Sequence, residues 1–338
     1  MSNFVYPTAA DLRDIEQVKA PLLTMTDPIF EIMPIRNTEN FIVMWEQKDN
    51  FTGLQGLRGL DGQPARVNAV GEKRFQMTPG VYGEFSAITE EELTIRRQMG
   101  SWATPIDLSD IVVERQDQLL GRRIDRIRQI GWTVLQGSFA VSGLQGIVHA
   151  DAFPVTRYTA GVTWATRATA TPLQNFRDVQ LFEEGRSASF GSEAKAFMNR
   201  RTANDMVANL NTNDLAGRRT SGLNSVLTVD EINRVMLGEG LPQVRIHNDG
   251  YFTDAGTWTP LIPNNRVIVV GHRPNGTIME YQMVRNATNP NMEPGAYTRV
   301  WDSAEVDAGR PPRRIELHDG HNGGPALFFP GDIVNMTV

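Results

Sequence analysis

A helical repeat of apolar residues through 108–135 constrains the fold more than any other feature of the chain. Val113, Leu120, Ile124, Ile127, Gly131 and Val134 fall on one face, flanked by Ile130 and Leu135. Glu114, Arg115, Asp117, Arg122, Arg123, Asp125, Arg126 and Arg128 fill the other faces. About 25 residues, each rising about 1.5 Å, make a rod of about 38 Å, long for a globular domain. Acidic residues interleave with the arginines. The spacing of Asp125 to Arg122 and Arg128 suits bridges within the helix or between subunits better than a grip on nucleic acid.

The stretch before this helix has strand-like pieces but no evident place to bury them. FIVMWEQ (41–47) is rich in β-branched and aromatic residues and reads as a strand. Beyond it come Gly53, Gly56, Gly59, Gly62 and Gly71, after which ARVNAV (65–70) and KRFQMTPGVYGEFSAI (73–88) read as the return of a long hairpin. So much glycine weakens packed strand interiors, which favours a protruding arm. Residues 1–40 carry Pro7, Pro21, Pro28 and Pro34. A short helix is predicted from the Thr8 cap through Ala20, with Pro21 stopping it. The apolar residues that follow, Leu22, Leu23, Met25, Ile29, Phe30, Ile32 and Met33, predict an extended arm lying on another surface. Flat extensions waste surface in a monomer and make sense when neighbouring copies cover them, so a shell or assembly subunit is expected rather than an enzyme.

Downstream, the pattern is mixed. GSFAVSG and IVHAD read as strands, as do Val155, Tyr158, Val162 and Trp164 in FPVTRYTAGVTWAT. Helices are predicted from Pro172 to Gly185, over 192–209 with a Ser192 cap, and from Ser225 to Leu237, where Thr228 and Glu231 form a T-x-x-E signature. After Pro242 the chain turns to strands: QVRIHN, a turn within DGYFTDAGTWTPL, then RVIVV and TIMEYQMV as a hairpin about the PNG turn at 274–276. Residues 286–310 read as loop, with further strand candidates in RRIELHDG and PALFFPGDIVNMTV. The class is α+β.

Composition removes several chemistries. The 338 residues include no cysteine, which excludes disulfides, Cys-ligated metals and thiol nucleophiles. The formal charge of -6 argues against a chain whose main task is neutralising phosphates. No secretory signal and no 18-residue apolar stretch is visible, so folding in the cytoplasm is expected and no membrane partner is.

The histidines are His149, His247, His272, His318 and His321. The string His318-Asp319-Gly320-His321 offers metal-ligand types. It sits in a glycine-rich stretch without the helical frame of H-E-x-x-H and reads as a solvent-exposed turn. His149 and Asp151 share one face of a strand with no recognisable nucleophile beside them, so they read as ordinary strand residues. GLQGLRGLDG lacks both G-x-G-x-x-G and a G-K-[ST] ending, and SFGSE and RTSGL are not nucleophile elbows. Glu90, Glu91 and Glu92 read as a solvated face or a first helical turn. No catalytic, cofactor-binding or metal site is expected.

Several strings, in order, resemble the major capsid proteins of tailed phages, in the family typified by the phage lambda major head protein. They are MPIRNTENFIVMWEQ (33–47), GQPARVNAVGEKRFQMTPGVYGEFSAITEEEL (62–93), VRIHNDGYFTDAGTWTPLIPNNRVIVVG (244–271), MEPGAYTRVW (292–301) and PPRRIELHDG (311–320). The resemblance covers about residue 30 to the end, whereas 186–240 matches nothing quotable and its helices rest on periodicity. It implies the Hong Kong 97-like capsid fold, with an N-terminal arm (1–40), an extended loop (41–91), a peripheral domain (92–170 and 311–338) with 108–135 as spine helix, and an axial domain (171–310). It also implies self-assembly as hexamers and pentamers into an icosahedral head around double-stranded DNA. Portal and scaffolding proteins, and in some heads a decoration protein, are the partners it implies, with assembly in the host cytoplasm and a place in the virion. Trp45, Phe51, Leu54, Leu57 and Leu60 are then candidate intersubunit anchors, though Trp45 suits the core at the loop's base equally well. Arg122, Arg123, Arg126 and Arg128 could face a neighbour or the lumen. Lys48 and Lys73 do not by themselves signal cross-linking. Two other readings stay open: a cellular nanocompartment shell of the same fold, and a soluble α+β hydrolase built around His149 or His318.

Overall fold

The computed structural model describes residues 9–48, 72–95, 108–143, 146–185, 188–209, 228–253, 255–274, 276–302 and 314–338, with the isolated positions 54, 57, 60, 63 and 212. The chain divides into two compact units. One comprises Met1–Met44, Gln76–Gly131 and Glu280–Ala326; the other comprises Trp45–Phe75, Trp132–Met279 and Leu327–Val338. Among the described residues, no helix is long and apolar enough to cross a membrane.

The first unit is organised by a single long strand. Taking the strands in chain order, β1 is Ile35–Asn37, β2 Val43–Lys48, β3 Glu72–Met77 and β4 Gly80–Thr89. β13 (Met279–Met283) and β14 (Ala296–Asp302) come later, and β15 spans Arg314–Leu327. β15 pairs antiparallel with β4 along one edge and with β14 along the other, while β1 lies parallel to β13 in the same sheet. This corrects three expectations. The return arm predicted over 73–88 is split: β3 pairs β2, and β4 belongs to the β15 sheet. The H-D-G-H string is mid-strand instead of an exposed turn, and β14 occupies part of the predicted loop at 286–310. Glycine persists in β15 because backbones and rings come close there. A Cβ on Gly320 would stand 2.6 Å from the Tyr297 hydroxyl, and would also meet the Tyr82 carbonyl. The Tyr297 ring lies over this strip, since Gly83 would meet the same hydroxyl at 2.8 Å.

Two long helices, α1 (Ala9–Thr24) and α4 (Leu108–Leu135), contribute to the core of this unit. Leu12, Ile111, Val112 and Leu119 pack with Ile88, Ile315 and Leu317 from the sheet. At 28 residues α4 would be about 42 Å long and keeps the predicted boundaries. Its apolar surface is broader than the predicted stripe: Ile111, Val112 and Leu119 are buried as well, whereas Val113 is only half-buried. α1 does not stop at Pro21 but carries it inside a final turn, where the Thr24 hydroxyl donates to the Pro21 carbonyl at 3.0 Å. The predicted extended arm is instead a short helix, α2 (Ile29–Ile32), whose Ile29 and Ile32 are buried together with Met33. A Cβ on Gly131 of α4 would meet Ile29 Cγ1 and Met33 Cε at 2.7 Å, so this glycine lets α2 approach the helix backbone. α3 (Glu90–Ile95) takes Glu90, Glu91 and Glu92 as its first turn, and the Thr89 hydroxyl accepts from the Glu92 amide at 3.3 Å.

The second unit has a five-stranded sheet in the order β7-β16-β12-β8-β9. β5 is Ser138–Ser142, β6 Val148–Ala152, β7 Thr156–Thr159, β8 Lys195–Met198, β9 Gln243–Ile246, β12 Arg266–Val270 and β16 Ile333–Thr337. Both sheet faces are covered, so central strands read as unbroken apolar runs without alternation. On one face Ala196, Met198, Val267, Val269, Val334 and Met336 pack with Phe176, Met206 and Met236 from α5 (Pro172–Phe182), α6 (Arg200–Val207) and α7 (Val229–Gly238). Phe197 points the other way, edge-on to Trp132 at 5.2 Å. That double burial explains the error at 192–209: KAFM is the strand β8, and the helix after it is capped by Asn199, whose side chain accepts from Thr202.

The T-x-x-E signature is a complete capping box at Thr228 and Glu231. β12 and β13 do not form the predicted hairpin, for each joins a different sheet; Asn275 of the PNG turn lies outside the described residues. Trp164 sits in turns rather than a strand and is buried, donating to Asn175 at 2.9 Å. β5 pairs with β6, β2 with β3, and β10 (Gly250–Phe252) with β11 (Trp258–Pro260) as two-stranded ribbons. The free side of edge strand β9 is closed by an amide: Asn233 on α7 donates to the Val244 carbonyl at 3.0 Å and accepts from its N–H at 2.7 Å.

Candidate assembly surfaces

The fold separates the two histidines of the H-D-G-H string. Successive side chains of a strand point to opposite faces, so His318 and His321, three apart on β15, cannot converge on one ion. His318 stacks on Phe85 at 5.3 Å and pairs with Glu316 at 2.9 Å. His321 is buried against Tyr82 at 5.1 Å and shares a 3.0 Å hydrogen bond with the Tyr281 hydroxyl. Burial drives the Tyr281 phenol well above its ordinary pKa and pushes Tyr82 up to about 12, so both rings stay neutral.

The remaining candidates are also held structurally. His149 meets the Phe139 ring edge-on at 4.9 Å across the β5–β6 ribbon, and Asp151 accepts from the Ala152 amide. His247 stacks on Trp132 at 4.5 Å, and His272 approaches the Glu193 carboxylate at 3.1 Å on an exposed surface. Glu90, Glu91 and Glu92 form the first turn of α3, and Glu92 accepts from Arg115 at 2.7 Å.

Arg122, Arg123, Arg126 and Arg128 of α4 each have a partner within the first unit; Arg123 is buried, while the Arg122 side chain is 62% exposed. Arg122 bonds Glu84 of β4 through two nitrogens, one of them at 2.8 Å. Those bonds hold the Glu84 carboxyl below its usual range. Arg128 pairs with Asp125 at 3.0 Å, as the spacing predicted, and lies 3.7 Å from Asp27. Arg126 donates to Gln129 at 2.9 Å. Arg123 is buried and carries two carboxylates, Glu16 of α1 and Asp319 of β15, the latter at 2.8 Å. The sequence gives no sign of that centre, because its members lie 107 and 196 positions apart.

Large apolar side chains are exposed as well. Leu54, Leu57 and Leu60 are exposed at 101%, 103% and 101% of their reference areas, so none of the described residues covers them. Trp45 is not an anchor: it is buried at the base of the loop, stacked on Phe75 at 5.6 Å and 6.0 Å from Phe153. Phe51 lies outside the described residues, as does the Lys48 side chain, while Lys73 is exposed on β3. Further uncovered side chains include Val18 and Leu22 on α1, Met25 just after it, and Phe252 and Trp258, which face each other across the β10–β11 ribbon.

Residues 15–309 match the family model described as phage major capsid protein E. No curated protein sequence matches the chain. Among solved structures, a prophage protein of E. coli CFT073 assigned as its capsid protein superposes with a TM-score of 0.63 at 10% identity, covering 98% of each chain. The capsid of Myoviridae phage XM1 gives a TM-score of 0.50 at 11% identity, over 88% of this chain and 86% of that one. A phage-related protein of Bordetella bronchiseptica RB50 gives 0.50 at 9% identity, over 94% and 96%. At such identities the likeness shows the fold alone, and that fold is the Hong Kong 97-like capsid fold.

Proposed function

The chain belongs to the phage major capsid protein E family, a structural and non-enzymatic one, and from that premise we propose that it assembles as hexamers and pentamers into an icosahedral head enclosing double-stranded DNA. The observation that carries this reading is the complete exposure of Leu54, Leu57 and Leu60 on a loop whose base is well packed. A leucine fully buried at a contact contributes about 1.5–3 kcal/mol. Repeated at every subunit of a closed shell, such individually modest contacts sum to a stable container.

In the proposed arrangement residues 1–40 form the arm and 41–91 the loop that reaches a neighbouring copy. The peripheral domain is built on α4, and the axial domain of 171–310 surrounds the hexamer and pentamer centres. By contact, residues 132–170 and 327–338 cluster with 171–279, and residues 280–310 cluster with α4, so we draw the boundary between the two domains accordingly. Portal and scaffolding proteins are the expected partners, a decoration protein a further one, with assembly in the host cytoplasm.

The test is negative-stain imaging with light-scattering mass on the protein expressed alone and with a candidate scaffolding protein. Closed shells, or hexamers and pentamers converting to them, are expected. A particle near 37.7 kDa under both conditions would overturn the reading. Analysis of shell contents separates a DNA head from a compartment around protein cargo.

A further inference from the structure

The Arg123 centre joins three parts of the first unit that the chain brings together from far apart. Arg123 of α4 binds Glu16 of α1 and Asp319 of β15 at once, and the Thr298 hydroxyl of β14 adds a 3.2 Å bond to Asp319. Both the arginine and Asp319 side chains are about 95% removed from solvent, while Glu16 is 22% exposed. With all three ionised the centre holds one negative charge in excess.

The surroundings do not offset that charge freely. On β4, Glu84 stands directly across from Asp319 in register, but its carboxylate is taken by Arg122; Tyr82 on the same strand is neutral. Arg126 of α4 donates to Gln129, and Lys19 of α1 is held by Asp117. Tyr297 of β14 is held neutral, its pKa raised by burial and by the charge of Asp319, and His321 of β15 is spent on Tyr281.

We propose that α1 is a proton-sensitive clasp, in which one proton taken up at Asp319 tightens its hold on α4 and loss of that proton loosens it. Among the described residues, α1 is also attached through Leu12 in the core, its carbonyl accepting from Gln116 at 2.6 Å, through the Lys19–Asp117 pair, and by packing on β14. With Asp319 protonated, Arg123 is left to Glu16 alone and the excess charge disappears. With both carboxylates ionised, they compete for one guanidinium and repel each other in a dry site.

The direction follows from linkage. Burial is the main cause that pushes Asp319 from 3.8 to about 6, with Glu16 adding to it and Arg123 opposing. A carboxyl raised in the docked state favours docking fully below its ordinary pKa, and that favour is lost as pH rises through the raised value. If undocking restores 3.8, the docking constant falls about tenfold between pH 5 and pH 7.5.

Hydrogen–deuterium exchange on the full-length protein reads this directly, using protection factors for 9–24 corrected for the intrinsic pH dependence of exchange. Protection of α1 is expected to fall by about tenfold from pH 5 to pH 7.5, while peptides of β12 and β16 stay level. Asp319→Asn keeps an acceptor oxygen but carries no charge, so α1 should be equally protected at both pH values. A flat or rising wild-type profile, or an undiminished pH dependence in D319N, would overturn the proposal. Should D319N fail to fold, the wild-type profile decides alone.

Discussion

Two glycines of α4 provide a test in which the same substitution on one helix has opposite effects. A Cβ added at Gly121 meets nothing within 4 Å, whereas one added at Gly131 meets Ile29 Cγ1 and Met33 Cε at 2.7 Å and Ile29 Cδ1 at 3.2 Å. Alanine inside a helix is worth about 0.8–1 kcal/mol over glycine. Gly121→Ala should therefore stabilise by roughly that amount. Gly131→Ala gains the same propensity but drives a methyl into two fully buried side chains. Met33 Cε is a flexible end, but Ile29 is β-branched and has little room to turn, so an overpacking cost of about 1–3 kcal/mol applies. The propensity gain cancels between the two variants, leaving G131A about 1–3 kcal/mol less stable than G121A. Equilibrium urea unfolding followed by circular dichroism on unassembled protein measures the difference. If G131A matches or exceeds G121A, the close packing of α2 on the spine helix is refuted.

Other consequences are as direct. Leu54→Ser, Leu57→Ser and Leu60→Ser combined should change subunit stability by no more than about 0.5 kcal/mol each, since these positions are exposed, yet abolish or shrink shells in electron micrographs. Wild-type assembly by that triple variant would remove the loop from the contact. Trp45→Ala should cost about 3–5 kcal/mol in the same unfolding assay, the signature of a core residue. Thr228→Ala breaks the capping box and should cost about 1 kcal/mol, with retained stability counting against the cap. Asn233→Leu leaves the Val244 N–H and C=O without their amide partner and should lower stability by about 1–3 kcal/mol.

Local chemistry was legible in the sequence and long-range pairing was not. The spine helix announces itself because one apolar face persists for seven turns' worth of sequence, and Thr228–Glu231 because capping needs only four residues. KAFM at 195–198 was lost to a helix because a strand buried on both faces has no alternation to reveal it. The string around His318 looks like a loop because its glycines suit turns. They are required instead by the Tyr297 ring and the neighbouring strand, which no local pattern discloses. RVIVV and TIMEYQMV flank a good turn, yet their partners, β16 and β15, lie at the far end of the chain. The arginines of α4 were legible as charges and not as roles: the Asp125–Arg128 ion pair and the Arg126–Gln129 bond are local, but the buried arginine depends on residues 16 and 319.

The amide that closes β9 bears on how such a chain survives its own abundance. A strand with bare N–H and C=O groups is a template for any other strand, and at the concentrations that build a head every copy would offer it to every other. Sheet-to-sheet growth has no closure rule and ends in fibres, whereas contacts through loops of fixed curvature close on themselves. By presenting Asn233 as a one-residue substitute for a neighbouring strand, α7 withdraws this edge from competition. At this edge, at least, open-ended strand pairing has no template to start from.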